Sequence, residues 1–151
     1  MMAFRVLSCA VFLLCLSVEP LRAEDKPADA KHRELQRLAG AWKVDWLELD
    51  GERRPPEGDQ VSLPLVIRDN EIRHGETKLS FTIDPGTDPK VIDVTDETDS
   101  NQAQHFEGIY KLGEDTLTIC LYLVPGAKQR PVEFTTRPES KLAIFQFRRV
   151  E

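Results

Sequence analysis

The sequence predicts an all-β domain, one antiparallel sheet of eight or nine short strands that either closes on itself or folds into two stacked layers. Three observations carry this. Apolar and polar residues alternate after Gly40, as in Trp42-Lys43-Val44-Asp45-Trp46. Turn signals recur at short intervals, among them Asp50-Gly51, Asp69-Asn70, Pro85-Gly86, Gly113-Glu114-Asp115 and Pro125-Gly126. No helical pattern separates the strands, which excludes βαβ crossovers and with them a parallel sheet.

The elements follow in order. Met1 to Arg5 supplies a short positive end, Val6 to Val18 an apolar run, and Leu21-Arg22-Ala23 a small residue before a cut, so residues 1–23 read as a cleavable signal peptide. The apolar run is too short to cross a hydrocarbon core of about 30 Å, so no stable membrane anchor is expected after cleavage. Leu14 precedes Cys15 where a lipid-modified export signal needs a small residue, so lipidation is not expected. The expected location is the periplasm or the extracellular space. Residues 24–38 read as a polar linker and a short helix, with Leu35 and Leu38 at helical spacing and Gly40 as a stop. The β domain spans 39–151.

Its first strand carries Trp42, Val44 and Trp46 on one face, and Pro55, Pro56 and Gly58 make the next stretch an exposed loop. Leu63 to Arg68 and Glu71 to His74 flank an Asp69-Asn70 hairpin turn. Thr77 to Ile83, Val91 to Thr95, Gln104 to Leu112, Thr116 to Val124, Pro131 to Thr136 and Leu142 to Val150 complete the set. In the last strand the apolar phase slips from Leu142 and Ile144 to Phe145 and Phe147, which predicts a β-bulge there. A sheet of this size with one apolar face becomes a barrel or a sandwich, and the residue pattern alone leaves both open.

Composition narrows the function classes. The chain of 151 residues is of single-domain size and has 20 basic against 26 acidic residues, a net charge of −6. Arg5 and Arg22 against Glu19 give the leader +1, so the remainder sits at −7. That sign excludes nucleic acid and anionic membrane as main partners, since both need a concentrated positive face. Cys9 and Cys15 leave with the leader, so Cys120 stands alone and no internal disulfide can form. Within the alternating run Thr116 to Val124 it reads as a packing thiol.

Gly40-Ala41-Trp42 at the head of the first strand, together with Arg149 at the end of the last, resembles the Gly-x-Trp and C-terminal Arg pairing of the lipocalin superfamily. More of the chain is similar to the lipocalin-like domains of unknown function that recur in exported proteins of planctomycete bacteria. The segments concerned are Leu38 to Val44, Ile83-Asp84-Pro85, Pro89 to Asp93, Gly108 to Leu112, Asp115 to Leu121, Arg130 to Phe134 and Arg149. The resemblance implies a small up-and-down antiparallel barrel of about eight strands, lipocalin- or calycin-like, with a short N-terminal helix. It further implies that Gly40, Trp42 and Arg149 close one end of it, the Arg lying on the Trp face. No reaction is implied. The chain departs from true lipocalins in its shorter length and in lacking their paired cysteines.

The search for chemistry finds no Gly-x-Ser-x-Gly, no His-Glu-x-x-His, no phosphate-binding glycine loop and no Cys-x-x-Cys. His32, His74 and His105 are scattered and read as solvated or structural. Asp93, Asp96, Glu97, Asp99 and Asn101 form an acidic run, yet it lacks the Gly and the closing Glu of a calcium loop. No metal and no cofactor are expected, and no enzyme. The expected interior set is Trp46, Phe81, Phe106 and Tyr110. These either line a ligand pocket or fill the barrel, and an eight-stranded barrel is only just wide enough for its own side chains, which favours filling. Arg137 and Arg53-Arg54 are candidates for a rim receiving an anionic group. The expected function is non-catalytic binding of a small apolar or amphipathic molecule by a monomer. The alternative is a filled-core interaction domain that docks an envelope protein or polysaccharide through residues 52–60 and 96–104.

Overall fold

The computed structural model describes residues 26–58, 63–99 and 102–151, and among these one helix and nine strands. The expected signal peptide lies outside the described residues. The helix α1 (Pro27–Leu38) is followed by β1 (Gly40–Leu49), β2 (Glu52–Arg54), β3 (Leu65–Arg68), β4 (Glu71–His74) and β5 (Thr77–Asp84). Then come β6 (Lys90–Asp96), β7 (Gln104–Leu112), β8 (Thr116–Tyr122) and β9 (Leu142–Arg149). From β3 onward each strand pairs antiparallel with the next, and β9 returns to pair with β1. The eight strands β1 and β3 to β9 thus close into a barrel. Closure leaves the sheet no long edge to protect, which is how a small all-β domain avoids edge-to-edge association.

One end of the barrel is sealed. Trp42, fully buried, donates its indole N–H to the Leu38 carbonyl at 2.9 Å. The Arg149 guanidinium lies over the Trp42 ring, 4.2 Å from its centroid. Arg149 also donates from Nη1 to the Ala39 carbonyl at 2.9 Å and from Nη2 to the Arg37 carbonyl at 2.6 Å. Carbonyls at a helix C-terminus have no partners within the helix and carry its negative partial charge, so a cation there both satisfies them and favours the dipole. Gly40 is required beneath this contact. Its φ is +133°, and a Cβ would come within 2.7 Å of Arg149 Nη1.

The helix is also fastened by a charge. Glu34, only 5% exposed, accepts from Lys90 Nζ at 2.5 Å, from Arg37 Nη1 at 3.0 Å and from the Tyr110 hydroxyl at 3.3 Å. A buried carboxylate is tolerated because three donors converge on it. Burial first, and the Glu34 charge second, raise the Tyr110 phenol above its ordinary range. Above this layer Ile67, Ile72, Phe81, Ile83, Ile92, Val94, Leu117, Ile119 and Phe147 pack into one continuous core.

Two expectations are corrected. The β-bulge falls in β1 rather than β9. Val44 pairs with Phe147 and Trp46 with Gln146, so Asp45 is the extra residue, and beyond it the faces of β1 exchange. Leu47 therefore takes the inward place opposite Phe145, and Trp46 turns outward. The expected strand over Pro131 to Thr136 is absent, because β9 closes the barrel and leaves no edge for another strand to join.

Residues 123–141 instead form an irregular strap across the outside. Its Phe134 packs with Trp46 and Leu142 over buried Ile109, Cys120 and Ile144. Arg130 pins it, donating from Nη1 to the carbonyls of Gly108 at 2.8 Å and Ile92 at 3.3 Å, with Asp93 Oδ1 2.7 Å away. Thr136 donates to Glu48 Oε1 at 3.0 Å and accepts from the Gly51 N–H at 2.9 Å. This covered outer face explains why both faces of β9 are apolar without any slip of register. The Cys120 thiol beneath the strap is free and buried, and burial with the Glu48 charge pushes it up to about 11.

Candidate functional site at the mouth of the barrel

The site is created by a mismatch in strand length. Strands β3 and β4 have 4 residues each where β7 has 9, so at roughly 3.3 Å per residue the wall is far lower on their side. Pairing of β1 with β3 covers only Gly40 to Trp42 against Leu65 to Ile67. Past Trp42, β1 parts from β3, and its far end is flanked by β2, which pairs Glu52 to Arg54 with Leu49 to Leu47.

A cavity of about 270 Å³ occupies this end. Val44, Leu47, Leu65, Leu79, Phe145 and Phe147 form its apolar walls, with Pro56 and Leu63 nearer the entrance. Leu63 is 52% exposed, and Val44, Leu65, Leu79 and Phe145 are only partly buried although they pack against the core. Three polar side chains join them. His74 ends β4, Thr77 begins β5 directly opposite it, and Glu57 approaches from the loop after β2. Asp96 sits opposite Leu79 in the register of β5 and β6, on the inward face at the rim.

None of the four aromatic residues expected in the interior lines this cavity. Phe81 and Tyr110, 3% and 1% exposed, belong to the packed core of the sealed half. Phe106 is half-buried on the inward face of β7, opposite Val94. Trp46 is a correction, since the Asp45 bulge puts it outside under Arg53, whose guanidinium lies 3.7 Å from its ring centroid. Gly40, Trp42 and Arg149 come together at the sealed end as described. The arginines expected at a rim have other partners: Arg53 pairs with Glu48, Arg54 with Glu52 and Arg137 with Glu133.

The mouth residues were partly readable. Leu79, Phe145 and Phe147 occupy the apolar phase of their strands, whereas Leu47 was hidden by the bulge and His74 carried no distinguishing signal. His32 bonds Gln36 on α1, and His105 bonds Thr95 on the outer face. Among the described residues no three His, Cys, Asp or Glu side chains converge as a metal site, and no helix is long and apolar enough to cross a membrane. No family model matches the chain, and no curated protein or solved structure matches it either.

Proposed function

We propose that this chain is an exported, non-catalytic binding protein of lipocalin-like build that holds one small apolar or amphipathic molecule in the mouth of its barrel. The supporting observation is the unequal filling of the two halves. Trp42 and its layer exclude solvent, while Val44, Leu65, Leu79 and Phe145 keep apolar surface turned toward a cavity of about 270 Å³. Apolar area left in water costs about 25 cal/mol per Å², and a ligand entering the mouth recovers that energy. The volume lies just under the usual range for small-molecule pockets, roughly 300–1,000 Å³, so the occupant is small. Lipocalin-like kinship rests on Gly40, Trp42 and Arg149 and on the up-and-down order of the strands. The non-catalytic reading rests on the missing catalytic motifs, and export on the leader pattern of residues 1–23.

Calorimetric titration with a panel of short alcohols, amines, acids and terpenoids tests this reading. Saturable binding with Kd between about 1 μM and 1 mM is expected. Tryptophan emission is a poor reporter, because both Trp42 and Trp46 lie away from the cavity. Absence of binding across the panel would end the proposal and favour docking through the loops.

A further inference from the structure

Assuming the mouth is a ligand site, we infer that it selects amphiphiles with a cationic head and a tail of about eight carbons, and that it rejects carboxylates. The length follows from the volume. At roughly 30 Å³ per water-sized group, 270 Å³ accommodates about nine non-hydrogen atoms. The Trp42 layer is the floor and lets nothing deeper.

The polarity of the head follows from where the polar side chains stand. Val44, Leu47, Phe145 and Phe147 offer only carbon, while His74 and Thr77 stand at the turn between β4 and β5 and Glu57 in the loop after β2. A ligand with one polar end is therefore oriented, tail against β1 and β9 and head toward Glu57. Its charge follows from the ions present. No Lys or Arg is among the described lining residues. The cations on adjoining strands have other partners, Arg53 on Trp46 and Glu48, Arg73 on Glu71, Lys78 between Glu71 and Glu97, and Arg54 on Glu52, with the Glu57 charge also felt by Arg54. Glu57 at the entrance and Asp96 at the rim are both carboxylates. A carboxylate head brought here finds the His74 and Thr77 side chains but no lysine or arginine of the lining, and it meets the like charge of Glu57, whereas an ammonium head gains a charge-assisted hydrogen bond to Glu57.

The test is calorimetric titration of the full chain at pH 7.5 with octylammonium, octanol and octanoate. Octylammonium is expected to bind at least about tenfold more tightly than octanoate, with octanol between them. Glu57→Gln is expected to shrink that gap to within threefold, and Glu57→Lys to invert the order. Glu57 is exposed, so neither variant threatens folding. Val44→Phe, or Phe145→Trp should the first not fold, fills the cavity and is expected to abolish octylammonium binding. Persistence of binding in a folded, cavity-filled variant would overturn the assignment in favour of the acidic outer surface. Octanoate binding as tightly as octylammonium would overturn the head selectivity while leaving the mouth a ligand site. Failure of all three to bind would remove the site itself.

Discussion

The two ends of this barrel share the same strands and differ in almost everything else. At the sealed end Trp42, Tyr110 and Leu38 are fully buried, the helix carbonyls are satisfied by Arg149 and Trp42, and Glu34 is held by three donors. At the mouth, Val44, Leu65, Leu79 and Phe145 of the same inward phase stay only partly buried around an open volume. The difference comes from what flanks the strands. Where β1 pairs with β3 and a helix lies across the opening, side chains find partners on every side. Where β1 parts from β3, they do not. One half therefore supplies stability and leaves the other free to remain unfilled.

The strongest test of this contrast is Trp42→Ala. It is expected to cost about 3–5 kcal/mol in urea unfolding, enough to leave a marginal domain largely unfolded. Next in size, Arg149→Ala removes the cation–π contact and strands the Arg37 and Ala39 carbonyls, an expected loss of about 2–3 kcal/mol. Leu79→Ala at the mouth is expected to cost only about 1 kcal/mol, since much of that side chain is already unpacked. If it costs as much as Trp42→Ala, the mouth is packed like the sealed end and the contrast fails.

Tyr110→Phe gives an effect of comparable size that depends on pH. Loss of the hydrogen bond to Glu34 is expected to cost about 1 kcal/mol at pH 7. The phenol ionises at a higher pH in the folded chain than in the unfolded one. Its contribution is thus complete below the ordinary tyrosine value of about 10 and is lost as pH rises beyond it. Stability of the native chain should fall above about pH 10 more steeply than that of Tyr110→Phe, as read from unfolding midpoints. Equal slopes would show that the helix does not bury this hydroxyl.

Much of the sealed end was legible, but through resemblance and not periodicity. Gly40, Trp42 and Arg149 stand out because their spacing resembles the lipocalin pairing; alternation alone marks Trp42 only as one inward residue of a strand. The mouth was less legible, for identifiable reasons. A bulge has no sequence signature when both neighbouring residues are plausible on either face, so Asp45 moved Trp46 outward and Leu47 inward without warning. Glu34 was overlooked although it lies four residues before Leu38 and so on the same helix face, because acidic residues on short helices are ordinarily solvated. Phe134 has strand-like neighbours, and only closure by β9 denies it a strand partner.

The seam between β1 and β9 has a bearing on how the molecule is made. Arg149 and the Ala39 carbonyl it caps lie 110 positions apart, so the contacts that hold the sealed end are among the most distant in the chain. Bringing such ends together costs roughly 4 kcal/mol of loop entropy before any contact repays it, and folds dominated by distant pairings form in milliseconds to seconds. Hairpins from β3 to β8 can assemble locally while β1 waits with one edge unpaired. The most tightly packed region is thus the one whose contacts join the most distant parts of the chain.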